Sequence, residues 1–155
     1  MPPDLSWGEV ADRLSLAPTF WLHTTGRTGA PDAAPVWGVI VDERLYLYTE
    51  RTTVKARNIE RDPRVLVHLD SGADVVIVRG ILTDLGRPDA RPEVVDAFAR
   101  KYDQPDERPW VPSNNADFDV LYELRPERAA MWALPDTEAS TRRWVDPASP
   151  ERDRA

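Results

Sequence analysis

Two stretches near the middle of the chain, Val65 to Leu69 and Val75 to Leu82, are dense in β-branched residues and are separated by Ser71-Gly72. Branching at Cβ restricts χ1 and suits the pleated, half-buried surface of a sheet. The pair reads as a hairpin at the centre of a sheet. The remaining elements have to be placed around it.

Ser6 followed by Glu9 is a capping-box pattern ahead of Val10 and Leu14, so Trp7 to Leu14 reads as a short helix. Thr19 to Thr25 is strand-like, Gly26 to Gly29 a turn, and Ala34 to Val41 a second strand closed by a tight turn at Asp42-Glu43. Leu45 to Thr49 alternates with period two. Thr52 or Thr53 can cap a helix that ends near Arg61, before Asp62-Pro63. Arg91 to Tyr102 carries Val94, Val95, Phe98 and Tyr102 near one helical stripe; its Lys101 receives no functional role from the pattern. Asp103 to Ala116 contains three prolines and reads as a long loop that includes Trp110. Phe118 to Leu124 and Arg128 to Leu134 read as two strands joined by Arg125-Pro126-Glu127, with Trp132 packed in the core or lining a ligand pocket, and Thr141 to Val145 as a last short strand. The expectation is a mainly β fold with helical inserts, a small barrel spanning residues 1–145, followed by a flexible tail over 146–155.

Composition excludes several classes of function. The 155 residues suit one domain, and with no cysteine there are no disulfides, thiolate metal sites or cysteine nucleophiles. A net charge of -7 argues against nucleic acid as a partner, because that binding leans on Lys and Arg. No apolar run approaches the ~20 residues that span a bilayer, so no membrane role is expected. Met1 to Trp7 has neither a basic region nor an apolar run, which leads to the expectation of a cytoplasmic protein without a signal peptide. His23 and His68 lie in expected strands and have no acidic neighbours at metal spacing, so no metal site is expected. No Walker loop, G-x-G-x-x-G or G-x-S-x-G motif is present, and no catalytic residue can be assigned. Any chemistry then belongs to a bound cofactor.

The most informative run is Tyr48-Thr49-Glu50-Arg51-Thr52-Thr53-Val54-Lys55-Ala56-Arg57-Asn58. A strand ends and a capped helix begins within a few residues, and a helix N-terminus offers unpaired N–H groups and a positive dipole end. Lys55, one of two lysines beside eighteen arginines, is three residues from Asn58 and shares a helix face with it, and both side chains are expected to point out of the core. Thr53 and Arg57 add a hydroxyl and a second cation. Such a terminus can hold a phosphate; the same spacing also suits an ordinary capped surface helix with solvated charges.

The run, together with Pro35-Val36-Trp37-Gly38 before it and Asn58-Ile59-Glu60-Arg61-Asp62-Pro63-Arg64 after it, resembles the FMN-binding split-barrel superfamily over about residues 5 to 145. That superfamily includes pyridoxamine 5′-phosphate oxidases and the flavin/deazaflavin oxidoreductases of actinobacteria. The resemblance implies a split β-barrel homodimer. Its flavin or deazaflavin ring would lie against Pro35, Val36, Trp37 and Gly38. Its phosphate would be held by Tyr48, Thr49, Thr53, Lys55, Arg57 and Asn58. The last strand, with Arg143 and Trp144, would reach the cofactor held mainly by the other subunit, although an amphipathic edge strand with Trp144 in the core accounts for the same residues. Pyridoxamine phosphate oxidases carry polar residues where Pro35, Val54 and Val75 stand here, so that activity is not expected. The Lys55-x-Arg57-Asn58 spelling, with the arginine-rich bias of a GC-rich genome, looks more like the branch that uses coenzyme F420, with FMN the alternative. The implied activity is hydride transfer to a small-molecule substrate; a non-catalytic flavin- or haem-binding carrier is the other possibility that the resemblance leaves open.

Overall fold

The computed structural model describes residues 4–149. Helix α1 (Trp7–Ser15) starts with the expected capping box: Glu9 N–H donates to Ser6 Oγ at 3.2 Å and Ser6 N–H donates to Glu9 Oε2 at 2.9 Å. Then follow β1 (Phe20–Thr25), β2 (Pro31–Val36), β3 (Gly38–Val41), β4 (Arg44–Thr49), α2 (Val54–Arg61), β5 (Arg64–His68) and β6 (Asp74–Asp84). After these come α3 (Pro92–Lys101), β7 (Val120–Ala133), the short α4 (Thr137–Ser140) and β8 (Arg142–Val145). The strands form one antiparallel sheet in the order β2-β1-β5-β6-β7-β4-β3, with β8 on β7. This is the expected mainly β class, a curled half-barrel with few helices.

The expected second strand is two strands. β2 pairs with β1 at one end of the sheet, while β3 pairs with β4 at the other. One chain segment therefore borders both ends of the sheet and draws it into a barrel, and Trp37, unpaired between the two strands, marks the seam. Gly38 is needed beside it: a Cβ there would lie 2.9 Å from the Phe20 ring and from a Leu47 methyl. Asp42 and Glu43 turn the chain with positive φ values of 49° and 61°, as a two-residue hairpin of this hand requires.

A second correction concerns β7. The two expected strands are one, and Arg125-Pro126-Glu127 is a bulge within it, where the register against β6 shifts between Arg79 and Gly80. Pro126 sits opposite Gly80, and a Cβ at Gly80 would collide with the Arg125 carbonyl, so proline and glycine are accommodated together. In the expected flexible tail, Asp146 N–H donates to Glu127 O at 2.9 Å and Ser149 is buried. Residues 150–155 of that tail lie outside the described residues.

Both faces of β4 are covered. Leu45 and Leu47 point into the barrel core with Phe20, Val67, Val76, Val78 and Leu124. Tyr46 and Tyr48 point the other way, into a second core under α3 with Val39, Val94, Phe98, Tyr102 and Leu121. The period-two pattern of β4 thus separates two apolar environments rather than core from solvent. The cleft described next opens at the edge of this second core.

Candidate cofactor cleft

Thr19, Pro35, Val36, Trp37, Tyr48, Thr49, Lys55, Trp110 and Phe118 line a cleft of about 440 Å³. Six of these come from the positions singled out in the sequence. Pro35 and Val36 end β2, Trp37 stands at the seam, Tyr48 and Thr49 end β4, and Lys55 lies in the first turn of α2. Pattern reading missed Thr19 and Phe118. Trp110 and Phe118 arrive through a loop whose register no periodicity sets, and it is pinned where the Tyr48 hydroxyl donates to the Trp110 carbonyl at 2.5 Å. Phe118 meets the Tyr48 ring edge-on at 4.8 Å.

Trp37 is held flat. Its ring stacks on Tyr102 with centroids 4.2 Å apart and planes 2° from parallel. The Tyr102 hydroxyl accepts from Gly38 N–H at 3.1 Å and donates to Pro18 O at 2.8 Å. Burial pushes the Tyr48 phenol well above its usual pKa and that of Tyr102 to about 12, so both stay protonated near neutral pH.

α2 is capped by Thr53, whose hydroxyl accepts from Ala56 N–H at 3.3 Å, donates to Glu50 O at 2.8 Å, and lies 3.4 Å from the Thr49 hydroxyl. Lys55 is half-buried and lines both this cleft and a smaller one of about 270 Å³ lined also by Leu22, Thr24, Asp32, Ala33, Ala34 and Val54. Among the described residues it has no ion pair or hydrogen bond.

Asn58 corrects the expectation of an outward helix face. It is 1% exposed. Its amide donates to Thr24 Oγ1 at 3.0 Å and Asp32 Oδ2 at 2.9 Å, and its carbonyl accepts from Arg61 at 2.7 Å. The face it shares with Lys55 packs on β1 and β2. There a short polar side chain must be fully hydrogen-bonded, while a lysine is long enough to bring its charge to the cleft. Arg57 is exposed, donates to Thr52 O at 2.7 Å, and lines a separate depression with Gly26, Arg27 and Glu60. Arg51 is paired with Asp84 through two hydrogen bonds of 2.7 and 3.0 Å.

Within one chain, Arg143 and Trp144 are not brought to this cleft. Arg143 is exposed on β8, and Trp144 packs on Trp7 at 5.2 Å beside a different cavity with Arg44 and Glu123. Trp132 is half-buried, opposite Val75 on the outer sheet face. On that face the two histidines meet, Nε2 to Nε2 at 2.8 Å, and His68 Nδ1 lies 2.6 Å from Leu69 O. Among the described residues no group of histidines and carboxylates could hold a metal ion, and no helix is long and apolar enough to cross a membrane.

The cleft can accept a flat, largely apolar ring against Trp37 and the strand ends, with an anionic group near Lys55. An unpaired, half-buried ammonium at its polar end fits a phosphorylated flavin or deazaflavin. A sequence profile of the pyridoxamine 5′-phosphate oxidase family matches residues 6–133. Among solved structures the chain is similar to the conserved hypothetical protein Rv2991 of Mycobacterium tuberculosis, at 26% identity over 83% of this chain and 85% of that one, with a TM-score of 0.70. It is similar in fold to an F420 reductase, at 24% identity, 76% and 94% coverage and TM-score 0.60. It is also similar in fold to a heme binding protein of Mycobacterium smegmatis, at 17% identity, 93% and 60% coverage and TM-score 0.67. No significant match is found among curated proteins.

Proposed function

The chain belongs to the pyridoxamine 5′-phosphate oxidase family, and from that premise we propose that it is a split-barrel oxidoreductase that transfers a hydride between coenzyme F420 and a small organic acceptor, with FMN the alternative cofactor. The observation that carries the reading is the unpaired ammonium of Lys55 in a cleft walled by Trp37, Tyr48 and the β2 end. A bound deazaflavin or flavin supplies the hydride chemistry. Lys55 holds the phosphate, Thr49 stands beside it, Asn58 holds α2 on the barrel from within, and Trp37 orients the ring. Trp110 and Phe118 cover the opening and exclude water. Tyr48, the phenol in the cleft, is a poor acid near neutral pH, since it is buried and donates to Trp110 O. The acceptor's proton therefore comes from solvent.

The working assembly is a homodimer that pairs the half-buried outer face of Trp21, Leu66, Val75, Ile77, Ala130 and Trp132, with the exposed Arg143 reaching the site of the other subunit while Trp144 stays packed on Trp7 and its own barrel core. Light scattering at micromolar concentration tests this: a cofactor-loaded monomer overturns the shared site.

Mass spectrometry of whatever small molecule co-purifies, followed by fluorescence titration with F420 and FMN, tests the cofactor. Oxidation of the reduced cofactor by a panel of unsaturated and carbonyl acceptors tests turnover. Tight binding without turnover by any acceptor favours a carrier. Pyridoxal phosphate formed from pyridoxamine phosphate would contradict the reading, because Pro35, Val54 and Val75 offer none of the polar groups expected there.

A further inference from the structure

Lys101 sits at the end of α3, and its ammonium donates to the Gly38 carbonyl at 2.7 Å. It lies 5.0 Å from the centroid of the Phe20 ring and 5.2 Å from that of Tyr102. Among the described residues it has no carboxylate partner. The uncharged residues against it are Phe20 from β1 and Gly38 from β3. The titratable ones nearby are Tyr102 on its own element and Glu107 in the loop, which acts on Tyr102. A half-buried cation without a counter-ion costs stability wherever it is charged. Burial lowers its pKa from the ordinary 10.5 to about 8, so it still carries its proton at neutral pH. An alkyl side chain of the same length would fill the space at lower cost.

The carbonyl that Lys101 holds belongs to the residue after Trp37, at the seam where β2 gives way to β3. Tyr102, the next residue, holds Gly38 N–H and stacks on Trp37. Two consecutive residues of one helix end thus fix both polar groups of Gly38 and the face of the indole that forms the cleft wall.

We infer that Lys101 is a positioning residue of the cofactor cleft: its ammonium holds the Gly38 carbonyl, so that Trp37 is presented to the ring of the bound cofactor and the wall behind that ring is electropositive. This rests on the reading of the cleft as a flavin or deazaflavin site. Lys101 acts on the ring end, whereas Lys55 acts on the phosphate end.

The test compares Lys101→Met, which keeps the stem, and Lys101→Gln, which keeps a donor without a charge, with the wild type. The probes are FMN and F420, each beside its phosphate-free ring compound, riboflavin or the free deazaflavin. Both variants should weaken phosphorylated and phosphate-free probes alike, by about tenfold, the worth of one charge-assisted hydrogen bond. Lys55→Ala should instead affect mainly the phosphorylated probes. Wild-type affinity should fall as pH rises through about 8, where Lys101 loses its charge, and the variants should lack that step. Melting temperature at pH 7 should stay level or rise in Lys101→Met, because the buried charge is gone.

Unchanged affinity, or affinity loss that tracks a fall in melting temperature, overturns the proposal. If the wild type binds none of the probes, the cofactor reading fails by itself. Lys101 is then judged in the free protein by the near-ultraviolet circular dichroism of the Trp37–Tyr102 stack. That signal should weaken in Lys101→Met, and an unchanged signal overturns the positioning role.

Discussion

The start of α2 and the end of α3 each bring one of the chain's two lysines to the same seam, and they use the charge differently. Lys55 has no hydrogen bond or ion pair among the described residues and opens on the cleft. Lys101 is tied to Gly38 O and keeps its charge against burial. The first can serve a ligand because the protein does not use it; the second serves the backbone that the ligand meets. Charge count along a helix does not distinguish these roles. What distinguishes them is whether a carbonyl of the host fold lies within reach.

The strongest way to break the comparison is to remove the seam on which both depend. Gly38→Val places side-chain atoms where a Cβ already sits 2.9 Å from Phe20 and Leu47. Overpacking of this kind costs ~1–3 kcal/mol. Urea unfolding should show the loss, and cofactor affinity should fall whichever lysine is present. A native-like midpoint with full affinity would show that the seam is softer than its packing implies.

Asn58→Ala sharpens the contrast within α2. It leaves Asp32 and Thr24 without the amide that bridges them, which costs ~1–3 kcal/mol for buried groups. Lys55→Ala, one turn away, should leave stability within ~0.5 kcal/mol, the usual range for a site outside the packing. If both variants melt alike, the buried network does not hold the helix.

The two helix ends should also differ with pH. The folded pKa of Lys101 is depressed to about 8. Between there and its ordinary 10.5 the unfolded chain binds the proton and the folded one does not, so stability rises with pH through that window. Lys101→Met should flatten the rise. At the end of α2, hydrogen bonds from Arg64 lower Asp62 from 3.8 to about 2. Its contribution is present above pH ~4 and is lost as pH falls toward 2. Asp62 is half-buried but its partner Arg64 is exposed, so Asp62→Asn should show the smallest effect, a slight flattening of melting temperature on the acid side only.

Much of the fold was legible in local pattern. The Ser6–Glu9 capping box, the Thr53 cap, the Val-rich hairpin and the Asp42-Glu43 turn are each set by neighbours in sequence. The seam was not, because Ala34 to Val41 reads as one run and its two halves differ only in their distant partners, β1 and β4. Pro126 suggested a break between strands, yet Gly80 across the ladder lets the proline sit in a bulge. Sequence reading, by helix pattern and by family resemblance, named six of the nine cleft residues, those on strand ends, the seam and a helix start, and placed Trp110 only in a long loop. It missed Thr19 and Phe118, and it turned Asn58 outward because Asp32 and Thr24 lie 26 and 34 residues away. Lys101 on an amphipathic helix received no role for the same reason, since Gly38 lies 63 residues away.

The claim that the Trp37–Lys55 cleft is the cofactor site is tested most directly by titrating F420 and FMN into the wild type, Lys55→Ala and Arg100→Ala. Arg100 is exposed on α3 and removes the same charge away from the cleft. Lys55→Ala should weaken the bound cofactor by ~1.5–3 kcal/mol, the range for a hydrogen bond to a charged group, while Arg100→Ala stays within twofold of the wild type. Equal losses in the two variants would contradict the account, leaving the start of α2 as a solvated surface rather than a phosphate site.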